Sequence, residues 1–436
     1  MADVLVLGGG LAGLASAAAL GQSGHRVTVL EARAFLGGRA TSYSLPADES
    51  GEIIDNCQHI LLRCCVNLLD FYRRLGVDQH IHFHREFFFI EPGGRTSVMK
   101  QGLLPKPLHF TESFATLRFL SLRDKLSIAR ALLAIQFERN TRKDLDQITM
   151  LDWLREKRQT PQAVERFWRQ ILVSAINEEL DRMAAAHGFQ VFYLGFLAAS
   201  NSYQMGVPEI PLGELYSAEA WKGIPNVRFE FRKPVTRIEF SPGRVEAVEA
   251  GGERFTAEHY ISALSFEKLA PLAPDLGIDF DPFSHSPITG VHLWFDRPVM
   301  NLPHATLLDR TLQWVFNKGE GKYLQLVISA SHTLTYLSRQ DVIDLAVREL
   351  REFFPEVAQA QLVKAHVVKE LRATFSAAPN LELLRPEART RFPNFSLAGD
   401  WTRSGWPSTM EGAVRSGYKA AEVADGHARF LLPDIA

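Results

Sequence analysis

Gly8, Gly10 and Gly13, an acid at Glu31, and the run Gly37-Gly38-Arg39 are the residues whose types and spacing most directly imply chemistry. Three glycines in G-x-G-x-x-G order, placed just after the apolar run of residues 4–7, suit a phosphate-binding turn between a buried strand and a helix. Gly8 permits the tight turn, Gly10 leaves a diphosphate room to approach the backbone, and Gly13 lets helix and strand pack closely. Residues 14–20 predict an alanine-rich helix whose free N–H groups and positive dipole end face that diphosphate. Residues 27–30 predict a second strand, with Glu31 at its tip near the ~20-residue spacing expected of an acid that accepts ribose hydroxyls. Gly37-Gly38-Arg39 adds a second glycine turn, ending in a guanidinium able to hold a diphosphate in bidentate fashion. The dinucleotide can be NAD or FAD on the opening motif alone, and this extra contact weighs toward FAD.

The elements that position these groups follow from patterning. Helical spacing is expected over residues 117–137, 150–157, 161–176, 182–196, 340–353 and 411–429, and strands over 227–231, 235–240, 245–250, 260–263, 288–295, 313–316, 323–329 and 395–398. Residues 83–90 and 95–99 predict a hairpin around Pro92-Gly93-Gly94. A formal charge of −2 over 436 residues supplies no cationic field for a nucleic-acid partner. Cys57, Cys64 and Cys65 form no spaced metal set, so no metal site is expected, and they suit a reduced, cytoplasmic chain. No apolar run reaches the ~18 residues of a membrane span.

Residues 395–417, FSLAGDWTRSGWPSTMEGAVRSG, predict a strand ending in Gly399-Asp400, a loop, and a helix starting near Glu411. Asp400 is placed to accept a ribityl hydroxyl, and the helix N-terminus to polarise a flavin carbonyl. Together with the opening motif, this segment resembles the FAD-dependent amine oxidase and phytoene desaturase superfamily. DNCQHILLRCCVNLLDFYRRLGV (55–77), GLLPKPLHF (102–110), FLSLRDKL (119–126), INEELDRM (176–183) and MGVPEIPLGELY (205–216) resemble its hydroxysqualene dehydroxylase branch more narrowly. The chain departs from that pattern at Cys57, where the family usually has glycine. Cysteine lacks glycine's freedom at positive φ.

The resemblance implies an α/β fold: a Rossmann-type, GR2-like FAD-binding domain with an inserted α+β substrate domain and a helical membrane-facing region. Its expected boundaries are 1–80, 227–270 and 390–436 for the discontinuous FAD-binding domain, and 81–226 and 271–389 for the substrate domain, with 101–140 as the membrane-contacting region. FAD contacts are implied at Gly8, Gly10, Leu11, Ala12, Gly13, Glu31, Arg39, Gly399, Asp400, Met410 and Ala413, with Ala32, Arg33 and Gly38 as neighbours. Val235, which by sequence alone is a strand valine, is implied to bond adenine through its main chain.

The branch is associated with reduction of hydroxysqualene to squalene in squalene and hopanoid biosynthesis. That reaction needs a hydride from reduced flavin, a proton for the departing hydroxyl, and a dry pocket. His59, beside Gln58 in the stretch expected to face the flavin ring, is the first candidate donor if its pKa is ordinary. Glu178, next to Glu179, is the second if buried, although adjacent glutamates more readily suit a solvated helix face. A long-chain isoprenoid is the expected substrate, and residues 102–120, apolar and braced by prolines, are expected to dip into a membrane surface or else cap the substrate domain. The rival activities are a carotenoid desaturase, with hydride flowing the other way, and a non-catalytic isoprenoid carrier. An amine oxidase is disfavoured by the apolar middle region. No second nucleotide fingerprint is present, so the electron donor for FAD is unidentified and a separate reductase or carrier is expected.

Overall fold

A computed structural model describes residues 1–46 and 51–435, so residues 47–50 and 436 of the expected FAD-binding segments lie outside the described residues. Five parallel strands form one sheet, in the order Val227–Phe231, Arg26–Glu31, Asp3–Leu7, His259–Ser262, Phe395–Leu397. Leu7 lies in register with both Leu30 and Ser262. The carboxyl ends of the three central strands therefore coincide, which is where open α/β sheets place their ligands.

The helix Leu11–Gln22 rises from the first strand with eleven of its twelve residues buried, from Leu11 to Gly21. Its alanines and glycines serve close approach: the closing helix Met410–Asp425 crosses so near that a Cβ on Gly417 would stand 2.2 Å from the Ala12 carbonyl oxygen. Ser16 Oγ reaches both the Ala12 and Gly417 carbonyl oxygens at 2.9 Å. Larger side chains on this helix would separate the two helices that flank the glycine turn.

A second sheet of seven strands runs Leu362–Phe375, His285–Phe295, Tyr323–Ser329, Trp314–Gly319, His304–Leu307, Glu86–Ile90, Thr96–Lys100. One face, with Val291, Leu293, Leu324, Leu326 and Val315, packs on Val342, Ala346 and Leu350 of the helix Arg339–Phe353. The strand alternation sends His292, Gln325, Thr306 and Trp314 to the opposite face. Against that face lie the helical segments between residues 111 and 197, held in one apolar cluster with Phe87, Phe89 and Trp314.

Four details differ from the sequence expectation. The single arm expected over 83–90 is two strands: Ile81–His84 pairs with Met205–Pro208, and Glu86–Ile90 with Thr96–Lys100. The helix expected over 117–137 is interrupted, because Leu117, Phe119 and Leu120 turn inward before Ser121 and Asp124 form a capping box for Leu122–Glu138. The fourteen-residue strand Leu362–Phe375 was not anticipated. The closing helix stops at Asp425, where Gly426 takes φ +80°. Among the described residues no helix is long and apolar enough to cross a membrane.

Candidate functional site

Gly8 has φ +110°, and its N–H donates to Leu30 O at 2.8 Å, which ties the glycine turn to the second strand. Gly10 is the N-cap of the Leu11–Gln22 helix and brings no side-chain acceptor to it. The N–H groups of Leu11, Ala12 and Gly13 have no partner within the helix. A Cβ on Gly10 would meet only Gly38 Cα, at 3.9 Å, so the space before these donors is open. Gly37 N donates to Gly9 O at 2.9 Å, bringing the second glycine turn against the first. Free helix donors, an open approach and two interlocked glycine turns fit the diphosphate of FAD.

Glu31 accepts the Gly9 N–H through Oε2 and the Arg33 N–H through Oε1, each at 2.8 Å. Each oxygen retains acceptor capacity for a ribose hydroxyl. Ala32 lies between these contacts. Val235 is near this end, two residues beyond Lys233, whose N–H donates to Glu31 O at 2.9 Å; its strand pairs with Ala250.

Arg39 and Asp400 meet each other directly: Arg39 Nη2 donates to Asp400 Oδ1, and Arg39 Nη1 to Ala373 O at 3.1 Å. Ser408 donates its hydroxyl to Asp400 Oδ2. Burial pushes the Asp400 carboxyl up, but the Arg39 guanidinium and the Ser408 hydroxyl outweigh it and hold the group below the ordinary carboxylate range. Asp400 is thus an anion fixed beside Gly399, which has φ +130° and donates its N–H to Ser416 Oγ at 2.8 Å. Thr409 caps the closing helix by accepting the Gly412 N–H at 3.0 Å, and Met410 and Ala413 stand in its first turn.

Sequence reasoning missed Glu411. It is 1 % exposed and accepts the Asn67 N–H (3.2 Å), the Asn67 side-chain amide (2.9 Å) and the Leu68 N–H (2.7 Å). The carboxylate joins the closing helix to the start of Val66–Leu75. Burial pushes its pKa up to about 7 against those donors.

Gln58 and His59 stand in a loop under the polar face of the seven-stranded sheet. Gln58 Oε1 accepts from Lys318 Nζ at 3.0 Å, and Lys318 Nζ lies 4.0 Å from Asp55 Oδ2. Lys318, 260 residues away in sequence, gave no sequence signal. Asn56 Nδ2 donates to Arg39 O at 2.9 Å, so Asn56 Oδ1 is the acceptor for His59 Nε2–H at 3.1 Å. This network selects the Nε2–H tautomer and leaves Nδ1 as an acceptor. Burial lowers the His59 pKa to about 4, although the Asp55 charge opposes it. The imidazole is therefore not the ordinary one expected: His59 is neutral at pH 7, and burial disfavours its protonated form. A kcat/KM profile from pH 5 to 8 is expected to carry no inflection from His59. A limb near pH 6.5 that disappears in His59→Gln would contradict this.

Glu178 does not lie on a solvated helix face. It follows Asn177, which ends the helix Gln170–Ile176 at φ +59°, and is fully buried. Its Oε1 accepts the Glu179 N–H at 3.0 Å beside His332 Nε2 and Arg182 Nε, and its Oε2 accepts the Ser376 hydroxyl. These partners occupy the carboxylate, which braces the helical layer against the sheet.

Cys57 is also accommodated. It is not among the residues with positive φ, so a side chain costs no backbone strain there. The space comes from Gly290 opposite, whose Cβ would lie 3.1 Å from Asn56 O and 3.8 Å from Cys57 Cα.

An apolar cavity of about 170 Å³, partly open to solvent, lies between the closing helix and the seven-stranded sheet. It begins at Thr409, Met410 and Glu411, passes Ile60, Leu61 and Leu62, and reaches Phe87, Phe89, Met99 and Trp314. At its Phe196 side it adjoins the loop expected to meet a membrane: Phe110 and Phe196 rings are 6.0 Å apart, and Lys106 Nζ donates to Ala198 O at 2.6 Å. Phe114 is only half-buried and Leu117, Phe119 and Leu120 are buried, so this part of the expected surface belongs to the core. Leu103 is instead 95 % exposed, and Leu104, Leu108, Leu122, Leu126, Leu133 and Phe137 are also exposed.

Comparison with known proteins agrees with this architecture. A zeta-carotene desaturase of Synechocystis sp. is 26% identical, with 96% of this chain and 96% of that protein covered. A 15-cis-phytoene desaturase of an Oncidium hybrid cultivar is 27% identical, covering 96% of this chain and 77% of its own length. A solved oxidoreductase from Methanosarcina mazei superposes with TM-score 0.70 at 18% identity, covering 95% of this chain and 98% of that one. The family described as flavin containing amine oxidoreductase matches residues 11–424. The chain belongs to that family of oxidoreductases, and the cofactor its glycine turns and closing helix are shaped to hold is FAD.

Proposed function

We propose that this oxidoreductase transfers hydride between FAD and a long, largely hydrocarbon isoprenoid. The observation that carries the reading is the apolar cavity joining the closing helix's N-terminus to the substrate side of the seven-stranded sheet. Among the described residues no acidic cage for an ammonium group lines it, since the one carboxylate there, Glu411, is engaged by Asn67 and Leu68. Bound FAD supplies the two-electron redox step, and the protein contributes orientation and exclusion of water.

The direction of transfer separates two readings. The names of the curated relatives favour desaturation over the dehydroxylation that the sequence resemblance implied. In desaturation the hydrocarbon loses one hydrogen as hydride to oxidised FAD and another as a proton, forming a carbon–carbon double bond. The second reading is reductive dehydroxylation of hydroxysqualene: a C–O bond breaks, hydride forms the new C–H bond, and the hydroxyl leaves with a proton as water. One observation favours it, a pair of buried polar atoms without partners in the cavity wall. Oxidised enzyme incubated with phytoene and reduced enzyme incubated anaerobically with hydroxysqualene decide between them. Desaturated carotene from the first supports desaturation, and squalene from the second supports dehydroxylation. Neither product would overturn the isoprenoid reading.

The membrane contact is proposed on the exposed apolar side chains. Leu122, Leu126, Leu133 and Phe137 fall on one side of a helix, and Leu103, Leu104 and Leu108 are exposed on the loop before it, as in a segment lying in a lipid interface. Leu103→Asp combined with Leu104→Asp is expected to reduce sedimentation with anionic liposomes by about tenfold, the loss of roughly two buried leucines being partly offset by the remaining contacts. Unaltered sedimentation of the folded variant would remove the membrane reading.

A further inference from the structure

Two side chains in the cavity wall have buried polar atoms that nothing among the described residues satisfies. Gln170 is 3 % exposed and its Oε1 has no hydrogen-bond partner; Thr306 is 1 % exposed and its Oγ1 has none. Both line the apolar cavity. They come from different layers, and Trp314, the cross-strand partner of Thr306, links the strand of Thr306 to the helix that carries Gln170. Trp314 Nε1 donates to Ser174 Oγ at 2.8 Å, and Ser174 donates to Gln170 O at 2.7 Å, one helical turn back. Cross-strand partners share a face, so Thr306 and Trp314 both look toward the Gln170–Ile176 helix. Other polar groups of the wall are engaged: Ser174 in this chain of bonds, Thr409 with Gly412, and Glu411 with Asn67 and Leu68.

The backbone near both ends of this wall is irregular. A π-helical turn over Val164–Arg169 immediately precedes Gln170, and a second, Tyr193–Leu197, carries Leu194 and Phe196 into the cavity. Such turns re-aim side chains and frequently mark functional sites.

We propose that Gln170 and Thr306 are the specificity-determining pair that receives a single hydroxyl of an otherwise hydrocarbon substrate. The proposal rests on the reading that the cavity is the isoprenoid site. A hydroxyl offers one donor and two acceptor lone pairs. It donates to Gln170 Oε1 and accepts from the Thr306 hydroxyl, satisfying both. A pure hydrocarbon of the same length leaves both atoms buried without partners, which disfavours it.

The test measures equilibrium binding of hydroxysqualene and squalene, two ligands differing by one hydroxyl, to the holoenzyme in detergent. Quenching of tryptophan fluorescence reports occupancy, since Trp314 and Trp406 line the cavity. The holoenzyme is expected to bind the alcohol about tenfold more tightly, and Gln170→Leu and Thr306→Val each to bring the two ligands close to parity by weakening the alcohol alone. Thr306→Ser, which keeps a hydroxyl, restores the preference, and retained flavin absorbance confirms folding. A preference unchanged in both variants, or absent from the wild type, overturns the role of the pair while leaving the cavity reading intact. If neither ligand binds, the cavity reading fails and the pair's role with it.

Discussion

Gly13→Val is expected to purify without the yellow colour of bound flavin. A Cβ at Gly13 would lie 2.0 Å from Gly8 O, 3.1 Å from Val6 Cγ1 and 3.2 Å from Ala263 Cβ. The first obstacle is backbone, and it cannot move freely because the Gly8 N–H is bonded to Leu30 O. The helix must therefore lift from the sheet, carrying away the N–H groups of Leu11 and Ala12. Overpacking of this kind costs about 3 kcal/mol or more, equivalent to roughly a hundredfold in affinity. The ratio of flavin to protein absorbance and titration with added FAD measure the effect. Gly223→Ala is the matched control, since a Cβ there meets nothing within 4 Å and the position has no positive φ. Wild-type flavin content in Gly13→Val would remove the assignment of this turn as the diphosphate site.

The second large effect is expected at Glu411, where Glu411→Ala should destabilise the protein by about 3 kcal/mol or more, with up to three buried donors losing their acceptor. Those donors are the Asn67 N–H, the Asn67 amide and the Leu68 N–H. Stability also acquires a pH dependence. Burial, the largest influence, raises the carboxyl to about 7 from its ordinary 4.5, so the folded protein binds a proton there that the unfolded chain releases. The stabilisation from that proton is complete below about pH 4.5 and lost as pH rises through about 7, in total roughly 3 kcal/mol. Urea unfolding at pH 5 and pH 8 is expected to show this fall in the wild type and not in Glu411→Ala. Equal pH dependence in the two proteins would show that Glu411 titrates normally.

The parts of the site readable in sequence are those where local backbone geometry restricts the residue. Gly8 at φ +110° and Gly13 against Gly8 O admit little else, so the glycine turn announced itself. The strand and turn at Gly399-Asp400 were legible for the same reason. What stayed hidden depends on contacts between distant segments. Nothing near Lys318 signals that its amine will meet Gln58, and nothing near Asn177-Glu178 distinguishes a buried brace from a surface turn. The strand Leu362–Phe375 was missed because it lies at the edge of its sheet, where Lys364, Lys369, Glu370 and Arg372 are tolerated and blur the apolar alternation. That strand brings Ala373 O to Arg39, so the omission reached the cofactor wall itself. His59 was chosen for its ordinary titration, and burial, invisible in sequence, lowers its pKa to about 4.

The nucleotide sheet takes its fifth strand, Phe395–Leu397, and the helix Met410–Asp425 from the far end of the polypeptide. During synthesis the ribosome delivers the glycine turn long before its partner helix. The nascent alanine-rich helix Leu11–Gln22 must wait for the neighbour that Gly417 brings against it. Cofactor capture consequently awaits the synthesis of residues 395–425, which complete the sheet and the helix pair around the glycine turn.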